Sequence, residues 1–311
     1  MNDPGPELIP AALTSIIAPV EARLRRLLDE ETARWSEVDA DLAAPLETLA
    51  HFVLAGGKRL RPAFCHWAFV GAGGAADDPT VVDAGAAFEM LHAFALVHDD
   101  VMDGSATRRG ERTVHVEFEQ AHLAGAWRGE PRRFGEGVAI LVGDLLEVYA
   151  DRLMTAAPTD AFDVWNELKI ELNVGQFLDV LGTARGSTDI DQARRIARYK
   201  SGKYTIERPL HVGAALAGRL DDLEVTLSAY GAPLGEAFQL RDDILGVWGD
   251  PARTGKPVGD DLREGKPTPL LATALQRADA GEATLLGRVG ADDLDDDEVL
   301  ALQDLLVGLG A

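Results

Sequence analysis

Five aspartates in two short runs define the chemistry open to this chain: Asp99, Asp100 and Asp103 in HDDVMD at 98–103, and Asp242 and Asp243 in RDDILG at 241–246. Both runs close stretches whose apolar periodicity reads as buried helix. A carboxylate without a partner in such a place costs several kcal/mol, so buried carboxylates are normally paired or bound to metal. On a helix Asp99 and Asp103 stand one turn apart and face the same way, so they can share cations. Asp100 is rotated by roughly 100° and is better placed to support the site. Ligand sets made only of oxygen suit Mg2+, which keeps waters and takes further ligands from substrate phosphates. A helix cap or solvated turn would also use Asp, but it would not need the Arg108-Arg109-Gly110 that follows.

The second run has Gln239 one turn before Asp243, and Lys256 and Lys266 follow in loops rich in Gly and Pro. From such loops a lysine can reach across a cleft as a point charge for phosphate. Gly56-Gly57-Lys58-Arg59-Leu60-Arg61-Pro62 adds three cations at a helix-to-helix turn, with capping and surface charge as the competing reading. His92 lies about two turns before Asp99, near the same helix face. A lone histidine there is more often a core or surface residue than a ligand. Two acidic walls that hold divalent cations, with bases near each, read as a polyphosphate site.

Helices must position these residues. Pro19 is expected to open a helix whose apolar face includes Val20, Leu24, Leu27 and Leu28, Pro45 a second running to Gly56-Gly57, and Pro62 a third ending at the Gly71–Gly74 loop. In 79–102, Val82, Ala86, Met90, Phe94 and Val97 recur at helical spacing, and the first aspartates end that helix. Segments 104–113 and 125–136 read as loops. Segments 137–156, 159–182, 189–200, 203–218 and 221–248 read as helices, with one more from about Pro269. No run of strands is visible. Long helices with wide apolar faces pack on one another, so an all-α bundle with a central cavity is expected.

Composition agrees. Of 311 residues 46% are hydrophobic and only 6% aromatic, with Ala and Leu dominant, which favours helix over sheet. No linker divides the chain, so 1–311 reads as one large domain, with 1–18 as a flexible N-terminus. The net charge of −22 argues against nucleic-acid binding, which needs a basic surface. An anionic ligand must be held by local bases and metal against that field. The single Cys65 excludes an intrachain disulfide, and the start MNDPGPELIP lacks a signal-peptide n-region. No apolar stretch reads as a membrane span. A cytoplasmic protein is expected.

Taken jointly, GGKRLRP at 56–62, HDDVMDGSATRRG at 98–110, GD at 143–144, GQFLD at 175–179, YKSGKYT at 199–205, FQLRDD at 238–243 and GDPARTGKPVGDDLREGK at 249–266 resemble the trans-isoprenyl diphosphate synthases, the short-chain polyprenyl synthetase family, of geranylgeranyl diphosphate synthase type. The resemblance runs from about residue 45 to about 275. It implies a single bundle of the isoprenoid synthase type and a homodimer, for which the apolar 79–102 and 137–156 helices could supply the face. It implies condensation of isopentenyl diphosphate with an allylic diphosphate, served by Mg2+, three ions per site.

By the same resemblance Asp99 and Asp103 match metal ligands, with Asp100 part of the motif, and Asp242 matches the ligand of a further Mg2+, with Asp243 beside it. Arg108 matches a contact to the allylic diphosphate, with Lys200 and Lys256 as its lysine partners. Lys58, Arg61, His92 and Arg109 match the isopentenyl diphosphate pocket. Gln239 and Lys200-Ser201 match groups that face the developing carbocation, and Lys266 and Asp179 match positions near the diphosphate and metals. Asp99, Asp103, Asp242, Lys200 and Gln239 are the implied catalytic set. Departure of the diphosphate leaves an allylic cation, which the isopentenyl double bond attacks before a proton leaves to the departing pyrophosphate. Water would quench the cation, so residues 200–204 and 251–266 are expected to act as lids.

One departure stands out: the family's second motif commonly carries a third Asp where this chain has Gly246, and Asp250 falls in a loop. Asp242 is expected to suffice. The residues before the first motif line the family's product tunnel. Leu91, Phe94 and Ala95 stand roughly 6 to 12 Å from its metal end at about 1.5 Å per residue. The small Ala95 permits passage and Phe94 could narrow it, which favours a C20 product over C15. A class I terpene cyclase would replace the second aspartate pair with Asn/Asp-x-x-Ser/Thr-x-x-x-Glu. Asp222-Leu223-Glu224-Val225 lacks the hydroxyl. A non-catalytic subunit of a heteromeric synthase should have lost metal aspartates, and both pairs persist.

Overall fold

The computed structural model describes residues 11–250, 258–291 and 293–311. It is almost wholly helical, and the chain forms two compact units, each discontinuous in sequence.

The first unit comprises the chain up to Val101, Val114–Trp165 and Pro209–Val225. It holds α1 (Ala11–Ser36), α2 (Ala43–Leu54), α3 (Leu60–Gly71), most of α4 (Pro79–Asp103), α5 (Val114–Ala124), α6 (Pro131–Met154) and α9 (Arg208–Leu216). Leu24, Leu49, Phe88, Met90, Leu91, Leu146 and Trp165 are fully buried, and Phe88 meets Trp165 edge to face at 5.3 Å. α4 is long and apolar enough to cross a bilayer by length and composition, but 67% of that stretch is buried inside the fold. It is a core helix.

The second unit comprises Met102–Thr113, Asn166–Arg208 and Thr226–Ala311. It contains a hairpin of two-residue strands, β1 (Thr107–Arg108) and β2 (Glu111–Arg112), and most of α7 (Thr159–Arg185). α8 (Ile190–Ile196) follows and runs into a π-helix (Ala197–Glu207). The rest is the latter part of α10 (Leu220–Trp248), then α11 (Asp260–Glu264), α12 (Pro269–Arg277), α13 (Ala280–Leu286) and α14 (Asp296–Gly308). Val247, Leu262, Ala274, Leu286, Val299, Leu302 and Leu306 form its C-terminal core.

Several helix limits differ from the sequence reading. Pro19 lies inside α1, which starts at Ala11, and costs that helix one N–H donor. Pro45 and Pro62 are the third residues of α2 and α3, in the first turn, where a missing N–H is harmless. α4 does not stop at the first aspartates but continues through Asp103. The 104–113 loop contains the hairpin, and the 125–136 loop is shortened because Pro131 opens α6. Segments 189–200 and 203–218 resolve into α8, the π-helix and α9, a non-α insertion that periodicity cannot register. Thr268 caps α12, its hydroxyl accepting from the Leu271 N–H at 3.2 Å, so the start near Pro269 holds.

Candidate active site

Because α4 is unbroken through Asp103, the one-turn spacing of Asp99 and Asp103 is real. His98, which opens the motif, is clamped within the first unit. Its Nε2 lies 3.0 Å from the Ile140 carbonyl oxygen, which can only accept, so this nitrogen carries the proton. Asp144 Oδ1 lies 3.9 Å from the same nitrogen, and the ring stands edge-on to Phe94 at 4.8 Å. Gly143 makes this possible: a Cβ there would fall 2.1 Å from His98 Nε2. The GD pair at 143–144 is thus the seat of His98. Asp100 is 1% exposed. Burial holds the His115 imidazole below its usual pKa, opposed by the Asp100 charge.

Of the three cations at 58–61, the middle one is structural. Arg59 is buried in the left-handed region (φ 48°) and binds the Glu89 carboxylate and the Val53 carbonyl at 3.1 Å. Lys58 is exposed, while Arg61 and His92 are half-buried. On α4, Leu91 and Phe94 are buried and Ala95 half-buried.

The second unit gathers the remaining residues. Arg109-Gly110 forms the two-residue turn of the hairpin with φ of 54° and 80°, the pattern of a type I′ turn. It leaves Arg109 exposed and Arg108 half-buried on β1. The Ser105 hydroxyl donates to Glu264 of α11 at 3.0 Å, tying the loop after the first motif to the segment after the second. Lys266 completes the tie. Its Nζ pairs with Glu264 and lies 3.3 Å from Asp103 Oδ2 and 3.8 Å from Asp261 Oδ1. The last aspartate of the first motif therefore shares a cation with a loop of the second.

Lys200 lies on the π-helix, and its Nζ donates to Asp179 of the GQFLD segment at 2.6 Å. Gly175 of that segment permits the approach, since a Cβ there would fall 2.3 Å from the Lys200 amide nitrogen. Gly202 in turn packs backbone to backbone on Gly235 of α10, one turn before Gln239. Beneath, the buried Glu171 accepts two bonds from Arg208 at 2.7 and 2.8 Å and one from Lys203. Burial would raise its pKa, but these cations hold it below the usual carboxylate range. π-Helical insertions recur at functional sites. Ser201 is half-buried beside Lys200.

Gln239 Nε2 donates to Asp243 Oδ1 at 2.7 Å. Asp243 is 5% exposed, and its Oδ2 has no hydrogen-bond partner. Burial pushes its pKa up to about 7, the Gln239 bond opposing and the Asp261 and Asp242 charges adding. Asp242 is exposed, and Asp250 is exposed beyond the end of α10. Lys256 lies outside the described residues. Among the described residues no three acidic, His or Cys groups gather tightly enough to enclose a metal unaided. That suits Mg2+, which takes few carboxylates and completes its shell with water and phosphate. An all-oxygen donor set with one buried, unsatisfied carboxylate oxygen fits such an ion.

The family model for polyprenyl synthetase matches residues 44–306, beyond the stretch that the motifs marked. The chain belongs to this family. A geranylgeranyl pyrophosphate synthase from Corynebacterium glutamicum, complexed with isoprenyl diphosphate and magnesium, superposes with a TM-score of 0.89 at 38% identity, covering 94% of this chain and 85% of that one. Geranylfarnesyl diphosphate synthase of Aeropyrum pernix is 34% identical over 79% of this chain and 74% of that protein. Geranylgeranyl diphosphate synthase of Mycobacterium tuberculosis is 37% identical over 72% of this chain and 60% of that protein. The all-α isoprenoid synthase fold follows.

Sequence reasoning missed Asp261, Glu264 and the seat of His98, and it weighed Arg59 no differently from its neighbours. Asp261 lay in plain view in GDDLREGK, but only the packing of α11 on α10 gives it a place.

Proposed function

We infer that this polyprenyl synthetase condenses isopentenyl diphosphate with an allylic diphosphate, releasing pyrophosphate and an all-trans prenyl diphosphate of C20 length, with C15 as the alternative. The observation that carries the reading is the tie between Asp103, Lys266 and Asp261 within a chain of this family, two motif segments joined around one charge. Divalent ions, three per site by family resemblance, would be held by Asp99, Asp103 and Asp242, with Asp100 and Asp243 in support. When bound, they supply positive charge against the leaving diphosphate.

The chain's own residues do the rest. Arg108, Lys200, Lys256 and Lys266 grip the allylic diphosphate, and Lys58, Arg61, His92 and Arg109 grip isopentenyl diphosphate. Asp179 holds Lys200 and so orients its ammonium. The Gln239 side-chain oxygen and the backbone around Lys200-Ser201 face the developing cation. The proton lost in the last step passes to the departing pyrophosphate. Leu91, Phe94 and Ala95 set product length from α4.

A homodimer and a cytoplasmic site of action belong to the same reading. α4 is too buried to be the dimer face, but Ile140, Leu141, Leu145 and Val148 form an exposed apolar stripe on α6. The 1–311 span is taken as one synthase domain, since the family match crosses both compact units. The test is incubation of the purified chain with Mg2+, isopentenyl diphosphate and C5, C10 and C15 allylic starters, with products sized by chromatography. Prenyl diphosphates of C15 to C20 are expected. A hydrocarbon formed from one allylic diphosphate would indicate a cyclase, and no turnover without a partner chain would indicate a subunit.

A further inference from the structure

Gly246 occupies the place where the family's second motif commonly has its third aspartate, yet that space is not empty. A Cβ built on Gly246 would fall 1.8 Å from Asp261 Oδ2, 2.3 Å from its Cγ and 2.9 Å from its Oδ1. The Asp261 carboxylate therefore occupies, Oδ2 foremost, the space where a side chain from α10 would begin at Gly246. Any larger residue at 246 would require the Asp261 carboxylate to leave this position, because real Cβ contacts are not made below about 3 Å.

The juxtaposition is built in. Asp261 stands in the first turn of α11, entered through Gly259 at φ 72°. Its neighbour Leu262 packs in the same core as Val247, the neighbour of Gly246, so two apolar anchors fix the two backbones together. Gln303 adds a bond from its Nε2 to the Val247 carbonyl at 2.5 Å. On the other side, Lys266 Nζ lies 3.8 Å from Asp261 Oδ1, and the Lys266 N–H donates to the Asp261 carbonyl at 3.2 Å.

An independent observation points to a ligand. Asp243, one turn before Gly246 on α10, is 5% exposed and keeps one carboxylate oxygen without a partner, while the Asp261 charge presses on it. Two carboxylates from different helices, one of them buried and unsatisfied, are arranged to take positive charge.

We propose that Asp261 supplies, from α11, the third carboxylate of the second metal site, and that Gly246 is the residue that leaves room for it. The proposal rests on the reading of this site as one that holds divalent cations. An aspartate that the motif lacks in sequence is restored in space.

The test uses the full chain with Mn2+ as the probe and inorganic pyrophosphate as the anion, counting bound ions by electron paramagnetic resonance and following thermal unfolding in parallel. Asp261→Asn and Asp261→Ala are expected to weaken one class of pyrophosphate-dependent Mn2+ by about ten-fold or more, the range for disrupted metal environments. Gly246→Asp alone should lower the unfolding temperature. The exchange variant Gly246→Asp/Asp261→Ala should recover that temperature and bind Mn2+ more tightly than Asp261→Ala. Wild-type ion number and affinity in Asp261→Asn would overturn the proposal, as would an exchange variant no tighter than Asp261→Ala. Absence of any pyrophosphate-dependent Mn2+ on the wild type would instead sink the underlying reading of the site.

Discussion

The two acidic motifs end differently, and the contrast shows how one chemical requirement is met locally or at a distance. The first places Asp99 and Asp103 at i and i+4 of a single unbroken helix, so backbone geometry alone aligns them. The second has Gly246 at the matching position, and the carboxylate found there, Asp261, comes from another helix held by a separate apolar core. Beside each motif a side chain also packs where a methyl on a glycine would begin. Gly143 seats His98 ahead of the first motif, and Gly246 seats Asp261 behind the second.

The contrast can be broken most sharply at Asp99. Asp99→Ala should lower kcat by about 10^3-fold or more, the scale for losing a group that acts on transition-state charge. The unfolding temperature should hold or rise, because a mutually repelling carboxylate is gone. Normal turnover in steady-state assays would remove the metal assignment.

Next comes the acid dependence of the second motif. The Asp243 carboxyl is pushed up to about 7 in the folded chain, above its ordinary value near 4. The folded state thus keeps a proton between those pH values that the unfolded state has released. The stability from this group is full below about pH 4 and is lost as pH rises through about 7. Without divalent ions, Asp243→Asn should flatten that fall by on the order of a few kcal/mol between pH 5 and 8. Denaturant titration of both proteins reads the difference, and identical profiles would refute it.

Gly143→Ala should displace His98 and cost the first motif its alignment, lowering kcat/KM by about ten-fold with a destabilisation of about 1–3 kcal/mol from overpacking. A wild-type rate would mean that His98 plays no part in orienting the motif. The smallest effect on rate is expected at Phe94. Phe94→Ala should leave turnover nearly intact while shifting products to longer chains, and an unchanged chain length by chromatography would reduce Phe94 to a packing residue against His98.

The α6 stripe separates the surface from the site. Leu141→Glu should shift the sedimentation coefficient to that of a monomer, because it places a charge on an exposed apolar face. A wild-type value would move the interface elsewhere.

Helical class, the residues that carry charge and the pairing of Asp99 with Asp103 were legible in the chain, because they depend on a repeat of 3.6 residues and on contacts within one or two turns. The π-helix was not, since its bulge is held by Glu171, Lys203 and Arg208 from separate elements. Nor could the chain distinguish Arg59, locked on Glu89 inside the fold, from Lys58 beside it in solvent.

What the sequence determined by itself was therefore the inventory: the carboxylates, the bases and the long apolar helices that carry them. Only the tertiary structure decided which acids share a charge. Asp103 meets Lys266, and Asp261 lies on Gly246, because apolar cores and close glycine contacts bring together segments distant in the chain. Such contacts depend on the summed packing of many residues, and no local pattern encodes them.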